Sequence, residues 1–275
     1  AEGAFSQAFV PVLSEYRETR DAAAVKQLLD RVAGALGGTL LCITLLAVIA
    51  APLVATVFAP GFRGDPLKFA LTTEMIRITF PYLMLISLTG FAGAVLNSYG
   101  RFAVPAFTPV LLNVCLITAA VVAAPYFDEP AMALAWGVLT AGCVQLVFQL
   151  PFLQRLHLLP TPRWQWGDEG VRRIVQLMIP AMFGVSVSQI NVLRDPVLAS
   201  FLPTGSISWL YYSDRLVELP LGVFAIAIAT VILPSLSRQR AGGDQQAFSQ
   251  TLDWAIRGVL LMALPARAAS ALAAW

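Results

Sequence analysis

Charge is scarce in this chain. Asp, Glu, Lys and Arg together make up 12% of its 275 residues, where an average soluble domain carries about 25%. Apolar residues reach 58%, so a soluble fold would lack the polar side chains to cover its surface. Histidine is almost missing. His157 is the single copy, which leaves no second imidazole for a metal or a base. Cys42, Cys115 and Cys143 stand far apart inside apolar runs, without metal-ligand or redox spacing, and read as small buried hydrophobes. No Gly-rich phosphate loop and no nucleophile–base pair is found, so nothing points to an enzyme or to a bound cofactor. The net charge of +2 is too small for a nucleic-acid binder.

What the chain does have is long apolar runs. A spanning helix needs roughly 20 mostly apolar residues. Such runs are predicted near 32–58, 73–97, 104–126, 130–154, 171–202 and 206–237, with a seventh near 249–272. Residues 1–14 read as the last turns of a further helix, and both chain ends are expected to be truncations. The fold class expected is an all-α polytopic membrane protein.

Lys and Arg in the loops set the orientation, because cytoplasmic loops carry the excess. Arg17, Arg20, Lys26 and Arg31 fall on one side, followed by Arg101, then Arg155, Arg163, Arg172 and Arg173, then Arg238 and Arg240. The opposite loops hold Arg63 and Lys68, then no Lys or Arg at 125–130 or 202–206. The first set is therefore read as cytoplasmic. Its polar break at 155–170, with prolines and tryptophans, suits an interfacial linker. That divides the chain into an N-lobe at 1–154, a linker at 155–170 and a C-lobe at 171–275.

An internal repeat agrees with two lobes. PVLSEYRETRDAAAVKQLLD from Pro11 and PSLSRQRAGGDQQAFSQTLD from Pro234 share nine of twenty positions without a gap. Among them are Arg17/Arg240, Asp21/Asp244 and Asp30/Asp253. Both copies follow one apolar run and precede another on the same side, which is the pattern of a parallel repeat. Convergent use of helix-cap residues is the alternative.

Ionisable groups inside spans are costly and face a cavity or a partner. The densest cluster is Asp214, Arg215 and Glu218 in YYSDRLVELP. Arg215 and Glu218 share a helix face at i, i+3. Two readings stand. The guanidinium neutralises two carboxylates, or it grips a phosphate bidentately. A second cluster is Ser188, Asn191 and Asp195 on one face before Pro196. Carbonyls freed by Pro196 beside a carboxylate suit a monovalent cation, and interhelical hydrogen bonding is the plainer use. Glu74 and Arg77 read as a paired interfacial anchor, and Asn113, Gln145, Gln149 and Gln189 as bonds between helices. Pro180, Pro196, Pro220 and Gly222 are candidate bend points.

Three stretches carry a family resemblance. AEGAFSQAFVPVLSEY at 1–16, ITFPYLMLISLTGFAGAVLNSYGRFAVPAFTPVLLNV at 78–114 and SWLYYSDRLVELPLGVFAIAIATVILPSLS at 208–237 resemble the lipid II flippase family MurJ (also MviN). The resemblance runs to about Pro265 and fades over ARAASALAAW. It implies the two-lobe exporter fold of the multidrug/oligosaccharidyl-lipid/polysaccharide superfamily, built from parallel repeats, with this chain running from late helix 2 into helix 9. It implies a multi-pass protein of the bacterial inner membrane that moves lipid II, an undecaprenyl-pyrophosphate-linked disaccharide peptide, to the periplasmic leaflet by alternating access. By motif it puts Arg215 and Glu2 in a cationic cavity, with Asp214 and Glu218 beside Arg215. It offers Asp195, near Asn191, as a match to an acidic residue linked to sodium in some members, although the LRDP context departs from the pattern. Coupling to sodium, to protons or to the membrane potential is expected to drive transport. The expected partners are lipid II and membrane lipids, with no nucleic acid and with the protein a monomer. The alternatives are export of another lipid-linked oligosaccharide or a drug, or a membrane scaffold without transport.

Overall fold

The computed structural model describes residues 2–165, 167–203, 205–220, 248–254, 256–258 and 260–261. These residues form helices and turns, with no strand among them. The chain divides into two compact units, Ala1–Phe201 and Leu202–Trp275.

The first unit holds α1 (Glu2–Thr19), α2 (Ala22–Ile49), α3 (Ala51–Phe58), α4 (Pro66–Thr79), α5 (Pro81–Ser98), α6 (Ala103–Thr118), α7 (Pro130–Arg155) and α8 (Glu169–Ala199). Aspartates start three of them. Asp21 accepts from the Ala24 N–H at 3.0 Å, Asp65 from Leu67 and Lys68 at 3.2 Å, and Asp168 from Gly170 at 3.0 Å. Each satisfies amide groups that a helix start leaves open. The Lys68 N–H leads the contacts that hold the Asp65 carboxyl below its ordinary range.

Two helix ends on one side use a left-handed residue. Gly100 (φ 74°) ends α5, and the Arg101 N–H reaches back to the Leu96 carbonyl at 2.9 Å. His157 (φ 57°) ends α7 in the same way, with the Leu158 N–H on the Leu153 carbonyl at 3.0 Å. The lone histidine thus has a local structural role.

The core of this unit is aromatic and leucine-rich. Phe5, Phe9 and Phe91 meet with centroids 5.1–6.1 Å apart, above Leu13, Leu28, Leu29, Leu96 and Leu153. The outside is apolar as well, with Ile49 77% and Phe183 73% exposed. Such a surface fits lipid as its solvent. Among the described residues, four stretches are long and apolar enough to cross a bilayer: Ala22–Ile49, Pro66–Ser98, Ala103–Tyr126 and Pro130–Arg155.

Several expectations are corrected. The first two spans begin earlier than predicted, at Ala22 and Pro66, because polar ends continue the helices. Cys42 and Cys143 are free and exposed rather than buried, as small apolar groups facing lipid. Glu74 and Arg77 make no ion pair among the described residues. Both are exposed, and such a pair gains too little to fix two long side chains. Gln145 and Gln149 do join helices. They donate to the Thr108 carbonyl at 3.1 Å and the Thr108 hydroxyl at 2.9 Å, linking α7 to α6.

The ends that the Lys/Arg asymmetry assigns to the cytoplasm meet at one end of the first unit. Arg17 of α1 donates to the Ser98 carbonyl at the end of α5 and lies 4.1 Å from the Tyr99 ring centroid. The start of α2 binds the 156–168 segment, and Arg173 near the start of α8 binds Glu15 of α1 at 2.8 Å. Single cysteines at 98–103 or 155–170, in a background lacking Cys42, Cys115 and Cys143, are expected to resist an impermeant thiol reagent in intact cells. A cysteine at 125–130 is expected to react. Equal labelling of 155–170 and 125–130 would refute this orientation.

In the second unit, α9 (Ser206–Pro220) is the described part of the predicted span 206–237. Residues 248–254 are helical and overlap the start of the predicted seventh run. The second repeat copy, from Pro234, falls mostly outside the described residues.

Candidate functional site

The densest charge cluster lies on α9. Arg215 Nη1 stands 2.6 Å from Glu218 Oε2, one turn along the same face. The guanidinium carbon is 5.1 Å from the Tyr211 ring centroid, so the cation rests on an aromatic face as well. Within the second unit the side chains of Arg215 and Glu218 are 60% and 63% exposed. Asp214 is also exposed. One residue before Arg215, it is turned about 100° around the helix, and the ion pair among the described residues joins Arg215 to Glu218. The structure thus shows a two-membered pair where the sequence offered a three-membered one. Its arrangement is one a phosphate can use: a planar five-donor group on a rigid helix, held by one carboxylate that a stronger anion can replace.

The other predicted residues are placed less fully. Asp195 is exposed on α8. Asn191 lies four residues earlier on the same helix, and Glu2 opens α1, but the side chains of both fall outside the described set.

A network that sequence reasoning missed fastens residues 158–168 across α2. Asp30 is 4% exposed and accepts from the Thr161 N–H at 2.7 Å, from the Thr161 hydroxyl at 2.9 Å and from Lys26. Its own carbonyl accepts from the Arg163 N–H at 3.0 Å. Arg31 pairs with Asp168. Beneath the segment, Gly34 and Gly38 form a recess. A Cβ at Gly34 would overlap the Arg163 backbone, and one at Gly38 would overlap the Trp164 ring. One turn away, the hydrogen bond from Arg173 leads the causes that hold the Glu15 carboxyl below its ordinary range. A lowered folded pKa makes this link complete above the ordinary carboxylate range and weaker as pH falls through the lowered value. The only sequence signals were the place of Asp30 in the repeat and the spacing of Gly34 and Gly38.

Comparison with known proteins covers almost the whole chain. The profile of the family "Lipid II flippase MurJ" matches residues 1–274. The chain is 50% identical to "Probable lipid II flippase MurJ" of Haemophilus influenzae over 97% of its length and 55% of that relative. It is 41% identical to "Lipid II flippase MurJ" of Burkholderia cenocepacia over 96% of its length and 52% of that relative. A solved structure of "Lipid II flippase MurJ, inward closed conformation" superposes with a TM-score of 0.73 at 26% identity, over 95% of this chain and 52% of that one. The chain spans about half the length of the curated relatives it matches. Family profile, relatives and apolar helices agree: the chain belongs to the lipid II flippase MurJ family, whose members are multi-pass proteins of the bacterial inner membrane.

Proposed function

We propose that this chain is part of a flippase that moves lipid II from the cytoplasmic to the periplasmic leaflet. The observation that carries the reading is 50% identity to a probable lipid II flippase across nearly every residue present. The chemistry supports it. A pyrophosphate-linked disaccharide peptide cannot cross hydrocarbon unaided, because its charges and hydroxyls would lose their water. A cavity that opens to one leaflet and then the other removes that barrier, and two lobes rocking about a central site provide it.

On this reading residues 1–154 belong to the N-lobe, 155–170 connect the lobes and 171–275 belong to the C-lobe, with the two Pro-x-Leu-Ser segments as repeat partners. Arg215 meets the pyrophosphate, exchanging Glu218 for a denser negative charge. Asp214 and Glu218 neutralise Arg215 when no substrate is present, and Glu2 is carried over by motif as a cavity carboxylate. Asp195 and Asn191 offer a place for a coupling cation, sodium or proton, with the membrane potential as the other source of drive. The protein performs no covalent chemistry and acts as a monomer among membrane lipids.

The test is an assay of lipid II on the outer leaflet of cells whose only flippase is the full-length protein. The expected result is outer-leaflet lipid II that falls within minutes of depleting the protein. Unchanged lipid II with loss of a different lipid-linked oligosaccharide would reassign the substrate. No change in either would leave a scaffold.

A further inference from the structure

The first unit carries a second cationic feature, at the end assigned to the cytoplasm. A concave pocket of about 300 Å³ lies between the α5–α6 turn and the last turn of α7. Arg101 and Arg155 line it, and so do Phe102, Phe152 and Leu156, with no acidic residue in the lining. Both arginines are exposed, and neither makes an ion pair among the described residues. At the same end Lys26, Arg31 and Arg173 each hold a carboxylate, and Arg17 sits on the Ser98 carbonyl and the Tyr99 ring.

We propose that Arg101 and Arg155 form a headgroup site for one anionic phospholipid of the cytoplasmic leaflet, with Phe102, Phe152 and Leu156 receiving the start of its acyl chains. Charge and shape choose the occupant. Two guanidiniums without carboxylates at a membrane interface attract a phosphodiester, which each can bind through a planar fork. Gly100, left-handed at φ 74°, turns the chain so that Arg101 follows α5 directly at the pocket rim. The Arg155 guanidinium lies 5.7 Å from the Phe152 ring centroid, so the exposed cation stands beside the apolar wall. Phe102 is 65% exposed beside these charges. An exposed aromatic next to an arginine matches the boundary between headgroups and hydrocarbon. A soluble anion would use the charges and leave this apolar wall wet, whereas a phospholipid uses both. The site lies within the first unit and uses no residue of the α9 cluster. It rests on the cytoplasmic placement of this end and not on the flippase reading.

The experiment titrates the delipidated full-length protein in detergent with phosphatidylglycerol, with phosphatidylcholine and with inorganic phosphate. Lipids retained per protein are counted by mass measurement of the intact complex. The expected result is one tight phosphatidylglycerol that phosphatidylcholine does not replace and millimolar phosphate does not displace. Arg101→Gln and Arg155→Gln should each weaken it about five-fold, and the pair about twenty-five-fold, as expected for about one such increment per interfacial arginine. Arg101→Lys with Arg155→Lys should restore most of the binding, which separates lost charge from lost folding. Undiminished phosphatidylglycerol in the Gln pair overturns the proposal. So does equal retention of phosphatidylcholine, which would mark a merely apolar crevice. Displacement by phosphate would mark a free-anion site and overturns it too.

Discussion

Arg215→Ala in the full-length protein is expected to reduce lipid II flipping below a tenth of wild type while membrane abundance stays near normal. The pair it breaks is local, at i, i+3, and its members are 60% and 63% exposed within their unit. Exposed pairs of that kind contribute little to stability, too little to unfold a membrane bundle. The loss to transport is larger, because a permanent planar cation has no substitute on α9, where the other ionisable side chains of the cluster, Asp214 and Glu218, are acidic. Arg215→Lys keeps the charge and loses the fork, so partial activity is expected. A different outcome follows if Arg215 serves only to neutralise Glu218 and Asp214. Its loss would then lower abundance, and removing both carboxylates as well would restore it. Quantifying abundance and outer-leaflet lipid II for the single and triple variants separates the two. A well-expressed Arg215→Ala protein with full flipping would exclude a substrate role.

Asp30→Ala is expected to release the segment that crosses α2. The carboxylate is buried and takes three donors, two of them from Thr161. Its removal leaves the Thr161 N–H and the Lys26 ammonium without their acceptor. Losing one partner of such a buried, charge-assisted set costs about 3 kcal/mol. The measurement is thiol labelling of Leu158→Cys, a position 7% exposed, in inverted vesicles of the full-length protein without its native cysteines. Labelling should rise at least ten-fold in Asp30→Ala and less in Asp30→Asn, which retains one acceptor oxygen. Gly38→Leu should have the same effect from below, by filling the space that the Trp164 ring occupies. Unchanged labelling in both variants would mean that the segment is held by other contacts.

The contrast between Arg215 and Asp30 shows what the sequence made legible. Arg215 stands out in one dimension, because a charge inside an apolar run is conspicuous and its partner Glu218 is three residues away. The spans were legible for the same reason: lipid selects composition over windows of about 20 residues, and composition needs no knowledge of neighbours. Asp30 and Thr161 are 131 residues apart. Each alone is an ordinary polar residue near a helix end, and only the fold gives one to the other. The Arg101–Arg155 pocket was hidden by the same kind of separation. The cysteines failed differently. Apolar surroundings in the sequence were equated with burial, but on a lipid-facing helix such as α7 an apolar neighbourhood and an exposed position coincide, as at Cys143.

The α4–α5 stretch, Pro66–Ser98, is 33 residues long. At 1.5 Å per residue it reaches about 50 Å, while the hydrocarbon core of a bilayer is about 30 Å thick. The excess must be taken up by tilt or by projection beyond the lipid. Pro81, which cannot donate to the helical ladder, divides the stretch near its middle, and α4 before it carries Lys68, Glu74 and Arg77 while α5 after it carries no charge. The apolar half is thus short enough to match the lipid, and the charged half extends toward the interface. Bilayer thickness therefore acts on this helix mainly through its charged half, α4, which packs against α3 and α7, while α5 packs against α7 and α1.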